Sequence, residues 1–147
     1  ACTDLLPGPT VSAFETDGLT LLGGPGGVYG DDYLAEPTPE QRAGGITCIW
    51  GDATTTASAI TISVAPLTAA TRPEVVTALS AQGLNASVDG PIATIAILGD
   101  DEHRPAILNV LRADSWISVI MTLGGPGPFD RALDLADEVA LTVYAAA

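Results

Sequence analysis

From residue 46 to residue 67 apolar side chains tend to fall on alternate positions: Ile60, Ile62 and Val64 are separated by Thr61 and Ser63. A period of two is that of a β-strand with one packed and one wet face. The segments 46–51 ("ITCIWG") and 58–67 ("SAITISVAPL") are joined by the polar "GDATTTA" and predict an antiparallel hairpin. The period then lengthens. "TRPEVVTALSAQG" predicts a helix over 72–82, with Thr71 as N-cap, Pro73 and Glu74 in the first turn, Gly83 as the stop and a stripe of Val75, Val76 and Leu79. Three more strand segments follow as a meander, "PIATIAILG", "AILNVLR" and "WISVIMTL", separated by "GDDEHRP" and "ADS". In the last of them Ile117, Val119, Met121 and Leu123 share one face. A helix over 129–145 closes the chain, its apolar positions Leu133, Ala136, Val139, Ala140 and Val143 recurring at helical spacing.

The first third is less regular. Pro7 and Pro9 limit any N-terminal helix to a short one, and a small strand is expected around Leu19 to Leu22. Residues 17–45 are otherwise rich in Gly and Pro and read as a long surface loop, tolerable if its ends are tied. No repeat or linker divides the chain. The element order predicts one α+β domain over 1–147, an antiparallel sheet with helices packed on one face.

Composition narrows the setting. The 147 residues suffice for one core and are 47% hydrophobic, yet their longest apolar runs fall short of a membrane span. Eighteen carboxylates oppose five arginines and no lysine, for a formal charge of −13. Such a surface repels phosphate backbones and anionic lipid, which excludes nucleic acid as an expected partner. The opening "ACTDLLPGPT" lacks the basic and apolar regions of an export signal. It fits either a cytosolic chain or a mature form, and the cysteines favour the second.

Cys2 and Cys48 are the two cysteines. Cys48 invites three readings: nucleophile, metal ligand or half of a disulfide. A nucleophile needs a base and an electropositive setting, for which the sole histidine, His103, within "DDEHR", is the available partner. A zinc site lacks its C-x₂-C or Cys/His cluster. A bridge to Cys2 satisfies the minimum framework and ties the long loop, with a chain-entropy contribution of about 4 kcal/mol for some 45 enclosed residues.

Other chemistry is sparse. The carboxylates around His103 would raise its pKa, but neither that cluster, Asp100, Asp101 and Glu102, nor Asp31 and Asp32 has the alternating spacing that wraps calcium. No G-x-S-x-G elbow is present, and "LGGPGG" and "LGGPGP" lack the signatures of phosphate loops. "NAS" at 85–87 matches a glycosylation sequon. Trp116, Tyr29 and Tyr33 would anchor a protein or glycan ligand if they shared an exposed surface; core packing is the competing role for Trp116.

The N-terminal C-x-x-L-L (Cys2, Leu5, Leu6), the C-x-W of Cys48 and Trp50 opening a hairpin, and the helix, meander and Ala-rich terminal helix after it resemble actinobacterial secreted lipoprotein-type domains of unknown function. The resemblance implies an exported, envelope-associated domain with its two cysteines bridged, and brings no catalytic residues. In a mature lipoprotein the acylated cysteine is residue 1, whereas this chain begins "AC". Cys2 is thus expected to be the bridge partner, and membrane contact only through an anchor upstream. The combined expectation is a non-catalytic, extracytoplasmic binding or interaction domain, without cofactor or metal, for a protein or cell-wall ligand. The alternative is an extracytoplasmic hydrolase using acidic residues or His103.

Overall fold

The computed structural model describes residues 2–30, 36–51, 59–90, 92–100 and 104–145. A 3₁₀ turn over Cys2–Leu5 is followed by α1 (Gly8–Thr16), β1 (Thr20–Gly23), α2 (Pro39–Arg42), β2 (Ile46–Gly51) and β3 (Ala59–Pro66). Then come α3 (Thr71–Ala81), β4 (Asn85–Asp89), β5 (Ile92–Ile97), β6 (Ala106–Leu111), β7 (Ser115–Met121) and α4 (Pro126–Ala145). The seven strands form one sheet in the order β1-β2-β3-β7-β6-β5-β4, every pairing antiparallel. The α+β class, the hairpin and the meander are those the periodicity predicts.

Register sets the faces. Cys48 lies opposite Ile62, Ile62 opposite Val119, Val119 opposite Leu108, and Leu108 opposite Ala96. This row and its even-numbered neighbours in β2 and β3 carry α4, α1 and the 3₁₀ turn, packed through Leu5, Leu6, Phe14, Trp50, Ala132, Leu135, Ala136, Val139 and Ala140. Ala132, Ala136 and Ala140 recur every fourth residue, so α4 approaches the sheet along a row of small side chains.

The helices do not all share that face. On the other side Ala65, Trp116, Leu111, Ala93 and Ile95 form a second cluster with Leu79 of α3, against which Val75 and Val76 also pack. The reason lies in β6 and β7, where "AILNVL" and "WISVIM" place apolar residues on both faces, and a sheet apolar on both sides needs cover on both. Ser63, expected on a wet face, is accordingly buried.

Further differences are local. The helix stripe of α4 is centred on Leu135 and Val139, and Leu133, expected in it, is exposed. Helix α4 also starts earlier than its apolar pattern suggests, at Pro126, a residue that suits a first turn. Thr71, expected as the cap of α3, is its first helical residue; it and Thr68 each accept a hydrogen bond from the other's backbone N–H, at 2.9 and 3.1 Å. Strand β4 and helix α2 have too few apolar residues to register as periodic segments. No helix among the described residues is long and apolar enough to cross a membrane.

Cys2 and Cys48 are joined in a disulfide, their Cα atoms 5.7 Å apart, both side chains fully buried. With both sulfurs in that bond, thiol nucleophile and thiolate ligand are ruled out for this state. The bridge fastens the 3₁₀ turn to β2, and the Cys2 N–H donates to the Pro25 carbonyl at 3.1 Å, so three parts of the first third meet there.

Candidate functional site

Two polar constellations stand out, one closed and one open. The closed one is a row across the α3-bearing face. Thr47 of β2 pairs with Ser63 of β3, Ser63 with Ser118 of β7, and Ser118 with Asn109 of β6. All four are buried. Such a row is stable only if its polar atoms find partners. Asn109 Nδ2 donates to the Ile95 carbonyl at 3.1 Å, and Trp116 Nε1 donates to Asn109 Oδ1 at 3.0 Å. The Thr47 hydroxyl lies 2.9 Å from that of Ser63 and 2.7 Å from that of Thr38.

Helix α2 brings a carboxyl group to the same place. Thr38 caps it in a capping box, its hydroxyl accepting from the Gln41 N–H at 3.1 Å while Gln41 Oε1 accepts from the Thr38 N–H at 2.8 Å. The next turn position, Glu40, is 8% exposed. Burial raises its pKa above the ordinary carboxylate range, against the opposing effect of hydrogen bonds from its own backbone N–H and the hydroxyls of Thr38 and Ser118. Each hydroxyl has one proton. If Thr38 donates to Glu40, Thr47 must donate to Thr38 and Ser63 to Thr47, a chain oriented toward the carboxylate.

Glu40 is therefore the strongest carboxylate for the hydrolase alternative, but Thr38 and Ser118 already meet its oxygens. The chemistry this arrangement performs is attachment of α2 to the sheet. A raised folded-state pKa means stability from Glu40 is fully present below its unfolded pKa and lost as pH rises through the folded one. Glu40→Gln should remove that component. In urea titrations between pH 4 and pH 7 the variant should gain on the parent as pH increases; a constant difference across that range would refute the assignment.

The open constellation is a cleft of about 450 Å³ at the end of the sheet, beside the last turn of α4. Ile46, Val64, Ala65, Pro66 and Val143 give it an apolar wall, and Asp114, Ser115 and Tyr144 a polar end. Tyr144, 39% exposed, donates its hydroxyl proton to Asp114 Oδ1 at 2.9 Å, and the Ser115 hydroxyl in turn bonds Tyr144 Oη. The Arg112 guanidinium lies over the Tyr144 ring, 5.5 Å from its centroid, and fixes it further. Gly45 lines the cleft because its backbone runs against β3: a Cβ there would come within 2.2 Å of the Val64 carbonyl oxygen.

The residues singled out from sequence are dispersed. Trp116 is 4% exposed and hydrogen-bonded inside the α3 face, so it is a core residue and presents no docking surface. Its indole N–H finds Asn109, which is why a polar-tipped ring tolerates the interior. Tyr29 is 55% exposed, on a segment running beside β1, where its N–H donates to the Leu22 carbonyl at 2.9 Å. Three strand spacings separate β1 from β7, roughly 14 Å, so Tyr29 and Trp116 share no surface. Tyr33, Asp31, Asp32, Asp101, Glu102 and His103 lie outside the described residues. Among the described residues no group of three or more His, Cys, Asp or Glu side chains could hold a metal ion.

No family model matches the chain, and no curated protein or solved structure does so. Its function must be read from its own residues. Sequence reasoning passed over Glu40, although the T-x-x-Q of Thr38 and Gln41 is a recognisable helix start. The cleft carried no such signal, since Asp114 and Tyr144 are thirty residues apart and meet only through the packing of α4.

Proposed function

We propose that this chain is an exported, envelope-associated binding domain, and that its ligand, a neutral sugar of the cell wall, seats in the cleft beside Tyr144. The observation that carries the reading is the pairing, in one ligand-sized cleft, of an apolar wall with an exposed hydrogen-bonding end of Asp114 and Tyr144, held from within by the buried Ser115 hydroxyl. Binding sites of this kind combine a mainly apolar surface with a few converging polar groups. A sugar ring matches both parts: its C–H face suits Val64, Pro66 and Val143, and its hydroxyls suit a carboxylate acceptor. A net charge of −13 disfavours anionic ligands. The buried Cys2–Cys48 bridge supports export, because such bonds persist in oxidising compartments.

Two measurements test this. In a titration with the β-1,4-linked disaccharide of N-acetylglucosamine followed by NMR, amide shifts should concentrate at Gly45, Val64, Ser115 and Tyr144. Asp114→Asn should weaken the interaction by about tenfold, the cost of one charge-assisted hydrogen bond. Unmoved cleft resonances at millimolar sugar would end the ligand assignment. Separately, alkylation of the native, unreduced chain should add no label; two labelled thiols would remove the support for export.

A further inference from the structure

We propose that the outer edge of β4 is a self-association surface, on which a second copy of this chain pairs antiparallel about a two-fold axis through Ser87. The two edges of the sheet are finished differently. Beyond β1 the chain doubles back, and the N–H groups of Val28 and Tyr29 donate to the Leu21 and Leu22 carbonyls, both at 2.9 Å. The β1 pairing is also broken by a register shift between Leu21 and Gly23. Strand β4 has no such protection: it pairs with β5 on one side, and among the described residues no hydrogen bond reaches its other side. All five of its residues are exposed, Val88 at 74%. It carries no lysine, arginine or proline, the residues that commonly discourage edge pairing.

Charge and sequence select the occupant. Two copies of a chain with a formal charge of −13 repel each other over most of their surfaces. Residues 75–99, which contain β4, hold one charged side chain, Asp89, so this is where two copies can approach. The sequence "NASVD" is self-complementary in the antiparallel sense. With Ser87 on the axis, Asn85 of each copy faces Asp89 of the other on one face of the joined sheet, an amide donor against a carboxylate. On the other face Ala86 meets Val88. A parallel pairing in register would instead set Asp89 against Asp89, an unfavourable like-charge pair. Strand addition through backbone hydrogen bonds is an established mode of association. Five residues a side form a contact well below the standard interface of about 1,600 Å², so the dimer is weak and concentration-dependent.

Sedimentation of the full chain from micromolar to millimolar concentration should show a reversible monomer–dimer equilibrium that salt strengthens, because screening relieves the mutual repulsion. The exposed position of β4 lets its variants fold. Asn85→Lys, which faces Asp89 of the second copy, should tighten the dimer about threefold or more, and Asn85→Asp should loosen it. Under mild oxidation Ser87→Cys should cross-link to a covalent dimer, since only the residue on the axis meets its own counterpart; Asn85→Cys should not. Monomer at every concentration, or cross-linking through position 85 as ready as through 87, would overturn the proposal.

Discussion

Replacing Cys2 and Cys48 together by serine is expected to remove about 4 kcal/mol of stability, the largest change available from the bridge. The figure follows from the 46-residue sequence separation of the two cysteines, which the unfolded chain must respect when the bond is intact. That entropy is set by the length of the loop the bond closes, and among the described residues the enclosed segment holds α1, the four-residue β1 and the four-residue α2. Packing adds to it. Both cysteines are fully buried in the α4-bearing core, and Gly24, at φ +97°, sits where a Cβ would fall 2.7 Å from Cys2 Sγ and 2.4 Å from the Thr47 carbonyl oxygen. A serine pair leaves two hydroxyls in that space. The check is a urea titration of the parent chain, the reduced chain and the double variant; an unchanged midpoint on reduction would contradict the account.

Trp50→Ala should cost about 3–5 kcal/mol, as large-to-small changes of buried aromatic residues do. Trp50 is among the largest fully enclosed side chains, and its ring lies 5.4 Å from that of Phe14, tilted by 56°. That contact joins β2 to α1, which otherwise has few anchors on the sheet. A double-mutant cycle with Phe14→Leu should give a coupling of about 0.5–1.5 kcal/mol. Trp50 projects from the same face of β2 as Cys48, so its loss should not be additive with loss of the bridge. Thermal unfolding of six proteins reads both terms: the parent, Trp50→Ala, Phe14→Leu, the bridge variant and the two combinations with Trp50→Ala.

These two expectations rest on features that were legible in the sequence. The C-x-W spacing places Cys48 and Trp50 on one strand face, and alternation in β3 assigns Ile60 and Ile62 to the same side. Strong periodicity likewise located α3, β5, β6, β7 and α4. What escaped had physical causes. Helix α2 is a single turn and is held by Thr38, Glu40 and Gln41 rather than by an apolar stripe. Strand β4 has no buried face, so nothing in its pattern alternates between core and solvent. The second helical layer followed from apolar residues on both faces of β6 and β7, a signal that competes with strict alternation and is easily read as one thick core. For Trp116 the choice between surface and core turned on Asn109, a partner on the neighbouring strand that accepts its indole N–H and itself donates to the Ile95 carbonyl. The cleft depends on four segments far apart in the chain, and local pattern carries no information about such meetings.

The staple between the 3₁₀ turn and β2 also has a mechanical consequence. Tension applied at the first residues enters the sheet covalently at Cys48, in the second strand from the edge, and bypasses α1 and β1. The stretch between the cysteines, which fully drawn out would span about 160 Å, stays slack under that load. Pulled by its ends, the molecule would yield a contour length shorter by that amount, and the missing length would return only after a reductant cut the bond.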